Sequence, residues 1–268
     1  MNPRANFSPL LTSLFLVFIM AASGCAQKST WELVWSEEFD NTGKPNEEFW
    51  GYETGYVRNR ELQYYTDQLQ NAKVENGYCT LTARLEKEDS ITSASINTLG
   101  KVDILYGRLE VRAKIPSALG TWPAIWLLGT NKQDMGWPAC GEIDVMEHVG
   151  FEPGLIHANI HTKAYNHMIN TGKGNRIEVG EPWADYHIYA LEWFEDHMDF
   201  FYDDSLYFSY QNDMQGDHNT WPFDKPHYLL INLAYGGSWG GRQGVDTSQL
   251  PLKFKVDYVR YYQLSKED

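Results

Sequence analysis

Cysteine is scarce, with three in 268 residues, so at most one disulfide can brace the fold. Basic residues are also few: 22 Lys and Arg stand against 36 Asp and Glu, for a net charge of −14. That balance, with no basic patch along the chain, excludes a nucleic-acid partner, because binding a phosphate backbone rests on cationic neutralisation. Long apolar runs are missing too. The one candidate, Leu10 to Met20, falls short of the roughly 20 residues that a spanning helix needs. No internal repeat, low-complexity stretch or polar linker divides the chain.

That short apolar run follows Arg4 and leads into Ala21-Ala22-Ser23-Gly24 and then Cys25. Residues 1–24 read as a signal peptide. The small residues before a cysteine are similar to a bacterial lipobox, which implies cleavage before Cys25, its acylation and a lipid anchor in a membrane. The expected location is the outer membrane or cell surface; an ordinary secretory signal would give a periplasmic or secreted protein instead. The remainder, 25–268, is expected to be a single domain and a monomer. Cys79 and Cys140 are left as a possible disulfide or as two buried thiols.

Aromatics are abundant, with ten Trp, seventeen Tyr and twelve Phe, and the patterning is that of strands. Leu109, Val111, Ala113 and Ile115 alternate with Arg108, Glu110, Arg112 and Lys114; Phe254, Val256 and Tyr258 alternate with Lys255 and Asp257. Glu75-Asn76-Gly77, Asp203-Asp204-Ser205 and the glycine-rich run 236–244 supply turns. An all-β antiparallel sandwich is expected.

The chemistry concentrates in Gly141-Glu142-Ile143-Asp144-Val145-Met146-Glu147-His148. On a strand, Glu142 and Asp144 share one face and Ile143 and Val145 the other, and strict alternation sends Glu147 to the wrong side. A β-bulge near Val145-Met146 would return Glu147 to the other two carboxylates. Three neighbouring like charges are costly, so function is their better explanation. Two carboxyl groups about 5–5.5 Å apart cleave a glycosidic bond with retention, and a wider gap gives inversion. The interposed Asp144 can separate the two pKa values. Trp122 and Trp126, four apart on one strand face, and Trp137, just before the acidic strand, are candidate sugar platforms.

Two other patterns carry less. Gly236-Gly237-Ser238-Trp239-Gly240 fits a serine-hydrolase elbow, but no helix start follows it. His157 and His161 lie about 13 Å apart on a strand and cannot share one ion. His161 is a candidate sugar contact or carboxylate orienter.

The chain resembles the laminarinase-like β-glucanases of glycoside hydrolase family 16. The resemblance rests on Trp35-Ser36-Glu37-Glu38-Phe39-Asp40, Asn59-Arg60-Glu61-Leu62-Gln63-Tyr64-Tyr65-Thr66, Trp122-Pro123-Ala124-Ile125-Trp126 and the stretch from Trp137 to Glu147. It continues in Trp221-Pro222-Phe223-Asp224, Asn232 to Gly237 and Val256 to Arg260. It implies a β-jelly-roll of two curved antiparallel sheets with a concave cleft, and a retaining endo-β-glucanase acting on β-1,3-glucan or mixed-linkage β-1,3-1,4-glucan without a catalytic cofactor. By the same resemblance Glu142 is the nucleophile, Asp144 its helper and Glu147 the acid/base. Trp122, Trp126, Trp137, His161, Asn59 and Arg60 are expected to bind glucan, and Glu37, Gly77 and Asp257 to hold a structural calcium ion. Many relatives carry Gly-Arg where Ala94-Ser95 stand here, so an arginine contact to glucan is expected to be missing. The alternatives are an algal galactan as substrate, transglycosylation, or a glucan-binding protein without activity.

Overall fold

The computed structural model describes residues 30–87 and 90–265, and over them the alternating segments are strands. The first eight are β1 (Trp31–Glu37), β2 (Gly51–Tyr52), β3 (Gln63–Tyr65), β4 (Ala72–Glu75), β5 (Tyr78–Leu85), β6 (Ile91–Ser93), β7 (Ser95–Asn97) and β8 (Gly107–Lys114). Then come β9 (Thr121–Gly129), β10 (Glu142–Glu147), β11 (Leu155–His161), β12 (Lys173–Glu178), β13 (His187–Trp193), β14 (His197–Tyr202), β15 (Ser205–Gln211), β16 (His227–Tyr235) and β17 (Leu252–Leu264). The expected signal peptide, 1–24, and Cys25 lie outside the described residues, among which no helix is long and apolar enough to cross a membrane.

A ten-stranded sheet follows the order β15-β14-β13-β8-β17-β5-β6-β3, with β1 added to β17 and β4 to β5. A seven-stranded sheet orders β12-β11-β10-β9-β16-β7-β2. The central pairs, β8 with β17 and β9 with β16, join strands far apart in sequence, and both are antiparallel. The short β3 pairs in parallel with β6. This is the expected jelly-roll sandwich. Its interior is the apolar half of each alternation: Leu109, Val111 and Ala113 from β8 meet Ile125, Leu127, Ile143, Ile160 and Ile231 from the opposite sheet. Each such fully buried Leu, Ile or Val contributes roughly 1.5–3 kcal/mol.

The turns follow their residues. Asn76 and Gly77, at φ 56° and 79°, close the β4–β5 hairpin as Asn-Gly does in a two-residue loop. Asp203, at φ 51°, begins the β14–β15 turn.

One alternation fails. Phe254 and Val256 join the core, but Tyr258 does not; Val259 and Tyr261 take the inward places instead. The register against β8 slips between Val256 and Tyr258, so a bulge at Asp257 moves Tyr258 to the outer face beside Arg260. Cys79 and Cys140 are both buried and free, and they sit in different apolar clusters. No disulfide joins them.

Candidate active site

The acidic strand β10 lies between β9 and β11 in the seven-stranded sheet. Against β9, Asp144 pairs with Trp126 but Met146 with Ile125, so β10 advances two residues where β9 advances one. The extra residue is Val145. Ile143, Val145 and Met146 are all fully buried in the core, and Glu147 returns to the outer face with Glu142 and Asp144. The expected bulge is present.

Two of the three carboxyl groups are held by N–H donors of their own. Trp137 donates its indole N–H to Glu142 Oε2 at 2.9 Å. Trp122 donates to Glu147 Oε1 and Asn159 Nδ2 to Glu147 Oε2, both at 3.0 Å. His161, opposite Glu142 on β11, places Nε2 3.2 Å from Asp144 Oδ2 and 3.6 Å from Glu142 Oε1. Asn159 stands opposite Asp144 in the register, so its bond to Glu147 draws that side chain back along the strand toward the other two acids.

The tryptophans occupy the expected face but not wholly the expected role. Trp122 and Trp126 are only 9% and 7% exposed. Trp122 orients Glu147. Trp126 donates to Asn232 Oδ1 at 2.7 Å, and its ring lies under the Arg58 guanidinium, 4.9 Å from the ring centroid. A sugar cannot stack on a face so covered, and Trp126 serves as floor instead of platform. Trp137 is half-buried and open on part of its surface.

The loop before β3 brings in a residue that the sequence reading does not name, Arg58. Asn59 and Arg60 are exposed, with φ of 52° and 54°, and this turn sends Arg58 inward while Arg60 points to the rim. Arg58 pairs with Glu53, which also accepts a 2.6 Å hydrogen bond from Ser95. Where the resemblance places an arginine, Ser95 instead donates to Glu53, the partner of Arg58. Beneath it runs a buried chain: Asn232 Nδ2 donates to Tyr65 Oη at 3.2 Å, and Tyr65 donates to Glu61 Oε2 at 3.3 Å. Trp239, from the glycine-rich run, sets its ring edge-on to Trp122 and His157. That run consists of turns with no helix, so it is no nucleophile elbow.

Burial raises all three carboxyl groups to about 8. For Glu142 burial comes first and Asp144 next, while His161 and Arg58 oppose the shift. For Glu147 burial is again largest, then Asp144, against the N–H of Trp122, the charge of His161 and the N–H of Asn159. Asp144, only 4% exposed and with no N–H donor on Oδ2, is pushed up by burial alone. The set can give up one proton and keep another near neutral pH, which an acid–nucleophile pair requires.

The calcium expectation fits less well. Glu37 uses Oε1 to accept from Phe39 N and Oε2 from Trp50 Nε1, and Asp257 is paired with Arg112. Gly77 is the αL residue of its turn. Glu37 thus has both carboxyl oxygens hydrogen-bonded and Asp257 one of its two, which leaves Asp257 Oδ1 and the Gly77 backbone carbonyl as the oxygens these three residues would still offer calcium.

A hollow of about 620 Å³ lined by Lys73, Tyr78, Arg84, Lys253 and Lys255 lies on the other sheet, away from the acids. A polymer can be cleaved in an open groove, so the site need not coincide with an enclosed cavity.

The sequence model of Glycosyl hydrolases family 16 matches residues 58–260, which include every side chain of this acidic site except Glu53. The chain belongs to glycosyl hydrolase family 16. It is 46% identical over 265 residues to a beta-glucanase of Rhodothermus marinus, covering 94% of this chain and 92% of that one. Among solved structures, the laminarinase from Rhodothermus marinus superimposes with a TM-score of 0.86 at 45% identity, over 90% of this chain and 100% of that one. SCLam, a non-specific endo-beta-1,3(4)-glucanase of the family, gives 0.83 at 44% identity, over 88% of this chain and 92% of that one. As a family 16 member the protein is a glycoside hydrolase, and its acidic strand supplies the two kinds of carboxyl group that such chemistry uses.

Proposed function

We propose that the protein is a retaining endo-β-glucanase that hydrolyses β-1,3-glucan and mixed-linkage β-1,3-1,4-glucan by double displacement. The observation that carries this reading is the bulge at Val145, which brings Glu142 and Glu147 to one face, each fixed by an indole N–H. Glu142, with Oε2 held by Trp137, presents Oε1 to the anomeric carbon and forms the glycosyl–enzyme bond as the leaving oxygen departs. Glu147 donates its proton to that oxygen and then takes one from the water that releases the sugar. Asp144, buried between them, carries the proton that keeps three adjacent acids from ionising together. Arg58 and His161 favour the ionised form of Glu142. No metal or cofactor enters these steps.

At the floor the guanidinium over Trp126 is already paired with Glu53, which favours a neutral polymer there, and Arg60 at the rim is the cation a sulfated galactan would have to use. Sulfate recognition needs cations free to meet it. Both glutamates are in place, which a purely binding protein would not need. The signal peptide and the Cys25 motif support export and lipid anchoring, so we infer a surface lipoprotein that meets its polysaccharide outside the cytoplasm.

The test is chromatography of oligosaccharides released from laminarin and from mixed-linkage glucan, side by side. A ladder of short oligosaccharides from both is expected. No reducing ends from either contradicts the reading, and products longer than the donor would assign the intermediate to transglycosylation.

A further inference from the structure

Three donor atoms at the floor of the site converge without a partner to bind them together. One donor atom each from Glu142, Asp144 and His161 lie within 4.8 Å of one another, with His161 Nε2 close to both Glu142 Oε1 and Asp144 Oδ2. Asp144 Oδ2 is buried with no hydrogen-bond partner, in a residue only 4% exposed, and it points at the His161 ring. Glu142 Oε2 is held by Trp137, which leaves Oε1 turned toward the same point.

We propose that this trio is also a transition-metal site, in which a zinc ion bound by Glu142, Asp144 and His161 shuts the enzyme off in competition with glucan. The geometry selects the metal. Zinc takes N and O donors at about 2.0–2.2 Å in a tetrahedron, which puts neighbouring donors about 3.3–3.6 Å apart. Nε2 stands 3.2 Å from Asp144 Oδ2 and 3.6 Å from Glu142 Oε1. Calcium and magnesium want six or more oxygens, and this cluster offers two with an imidazole nitrogen. The Trp137 N–H acts as the outer-shell bond that orients a ligating carboxylate. A dication also adds positive charge beside a row of three buried acids. Three protein donors would leave a fourth position for water, and an ion on Glu142 would block that carboxylate from a sugar.

The site stands on geometry; the inhibition rests on the role given to Glu142 above. Zinc chloride is titrated into the metal-free chain by calorimetry in a non-coordinating buffer, with His161→Gln as the comparison. Half-buried surface histidines such as His197, beside Asp196 and Asp199, take up zinc as well, so the difference between the two proteins is the readout. We expect the tightest site of the wild type to weaken by at least about tenfold in the variant. Zinc, but not magnesium or calcium, should inhibit laminarin hydrolysis competitively, with recovery on adding EDTA. Asp144→Asn, checked for folding by circular dichroism, provides a second ligand deletion with the same expected loss should His161→Gln fail to fold. Identical zinc isotherms for wild type and a folded variant overturn the site, as does inhibition that saturating laminarin leaves unchanged. Calorimetry registers the ion whether or not a glucan is cleaved, so failure of the metal site and failure of the glucanase reading give different results.

Discussion

The outer faces of the two sheets treat charge in opposite ways. On the ten-stranded sheet, Arg108 bridges Glu110 and Glu192 at 2.7 and 2.5 Å, Arg112 pairs with Asp257, and Arg260 grips Glu38 through two 2.9 Å bonds. Arg260 holds the Glu38 carboxyl below its ordinary range. On the seven-stranded sheet, Glu142, Asp144 and Glu147 sit in a row, restrained mainly by neutral N–H groups, and burial drives all three upward. The first face is a solvated surface whose charges answer each other. The second keeps charges in conflict, which costs stability and supplies reactivity.

Removing a reacting carboxyl should break the contrast most severely. Glu142→Gln is expected to lower kcat on laminarin by on the order of 10⁴-fold or more, since an amide is no nucleophile. Glu147→Gln should cost about 10²–10⁴-fold, with less loss on substrates whose leaving group needs no proton. Steady-state kinetics on laminarin and on an aryl glucoside oligomer measure both.

Arg58→Gln should have an intermediate effect. Its charge favours ionised Glu142, so its loss moves the acidic limb of the kcat/KM profile to higher pH and lowers the plateau by about tenfold, near 1.4 kcal/mol. An unchanged acidic limb would detach Arg58 from the nucleophile.

Asp144→Asn tests the stability side. Acids whose folded pKa is raised bind protons more tightly when folded. Their contribution is therefore full below the ordinary carboxylate range and declines as pH climbs toward about 8. Taking one charge away should stabilise the fold by about 1–2 kcal/mol at the upper end of that window and little at its lower end, while activity falls. Urea melts at the two ends check the sign. The smallest change belongs to the other sheet: Arg260→Ala should cost less than about 1 kcal/mol, because the Glu38 pair is partly exposed, and should leave kcat as it was.

The sequence exposes a bulge where charge makes it conspicuous and hides one where it does not. In β10 a third acid on the wrong side of the alternation demands an extra residue. In β17 a bulge at Asp257 separates aromatic and aliphatic residues that suit either face, so Tyr258 reads as core until the register is seen. The sandwich was legible because apolar alternation and turn residues are local. The role of Trp126 was not, because Arg58 covers it from a strand connection 68 positions earlier. Arg58 and Arg60 are indistinguishable by type, and only the two left-handed residues at 59 and 60 decide which one turns inward. Asn159 shares the polar face of β11 with His157 and His161, and that alternation was the signal that could have marked it as a partner of Glu147.

The central claim is that the Val145 bulge sets Glu142 and Glu147 to work on the same glycosidic bond, one attacking and one protonating. Proton NMR of a fresh digest of laminarin, read before mutarotation, reports the anomer first released. The account predicts the β-anomer, by two successive inversions through a bond to Glu142. An initial α-anomer would mean single displacement by water and would contradict it.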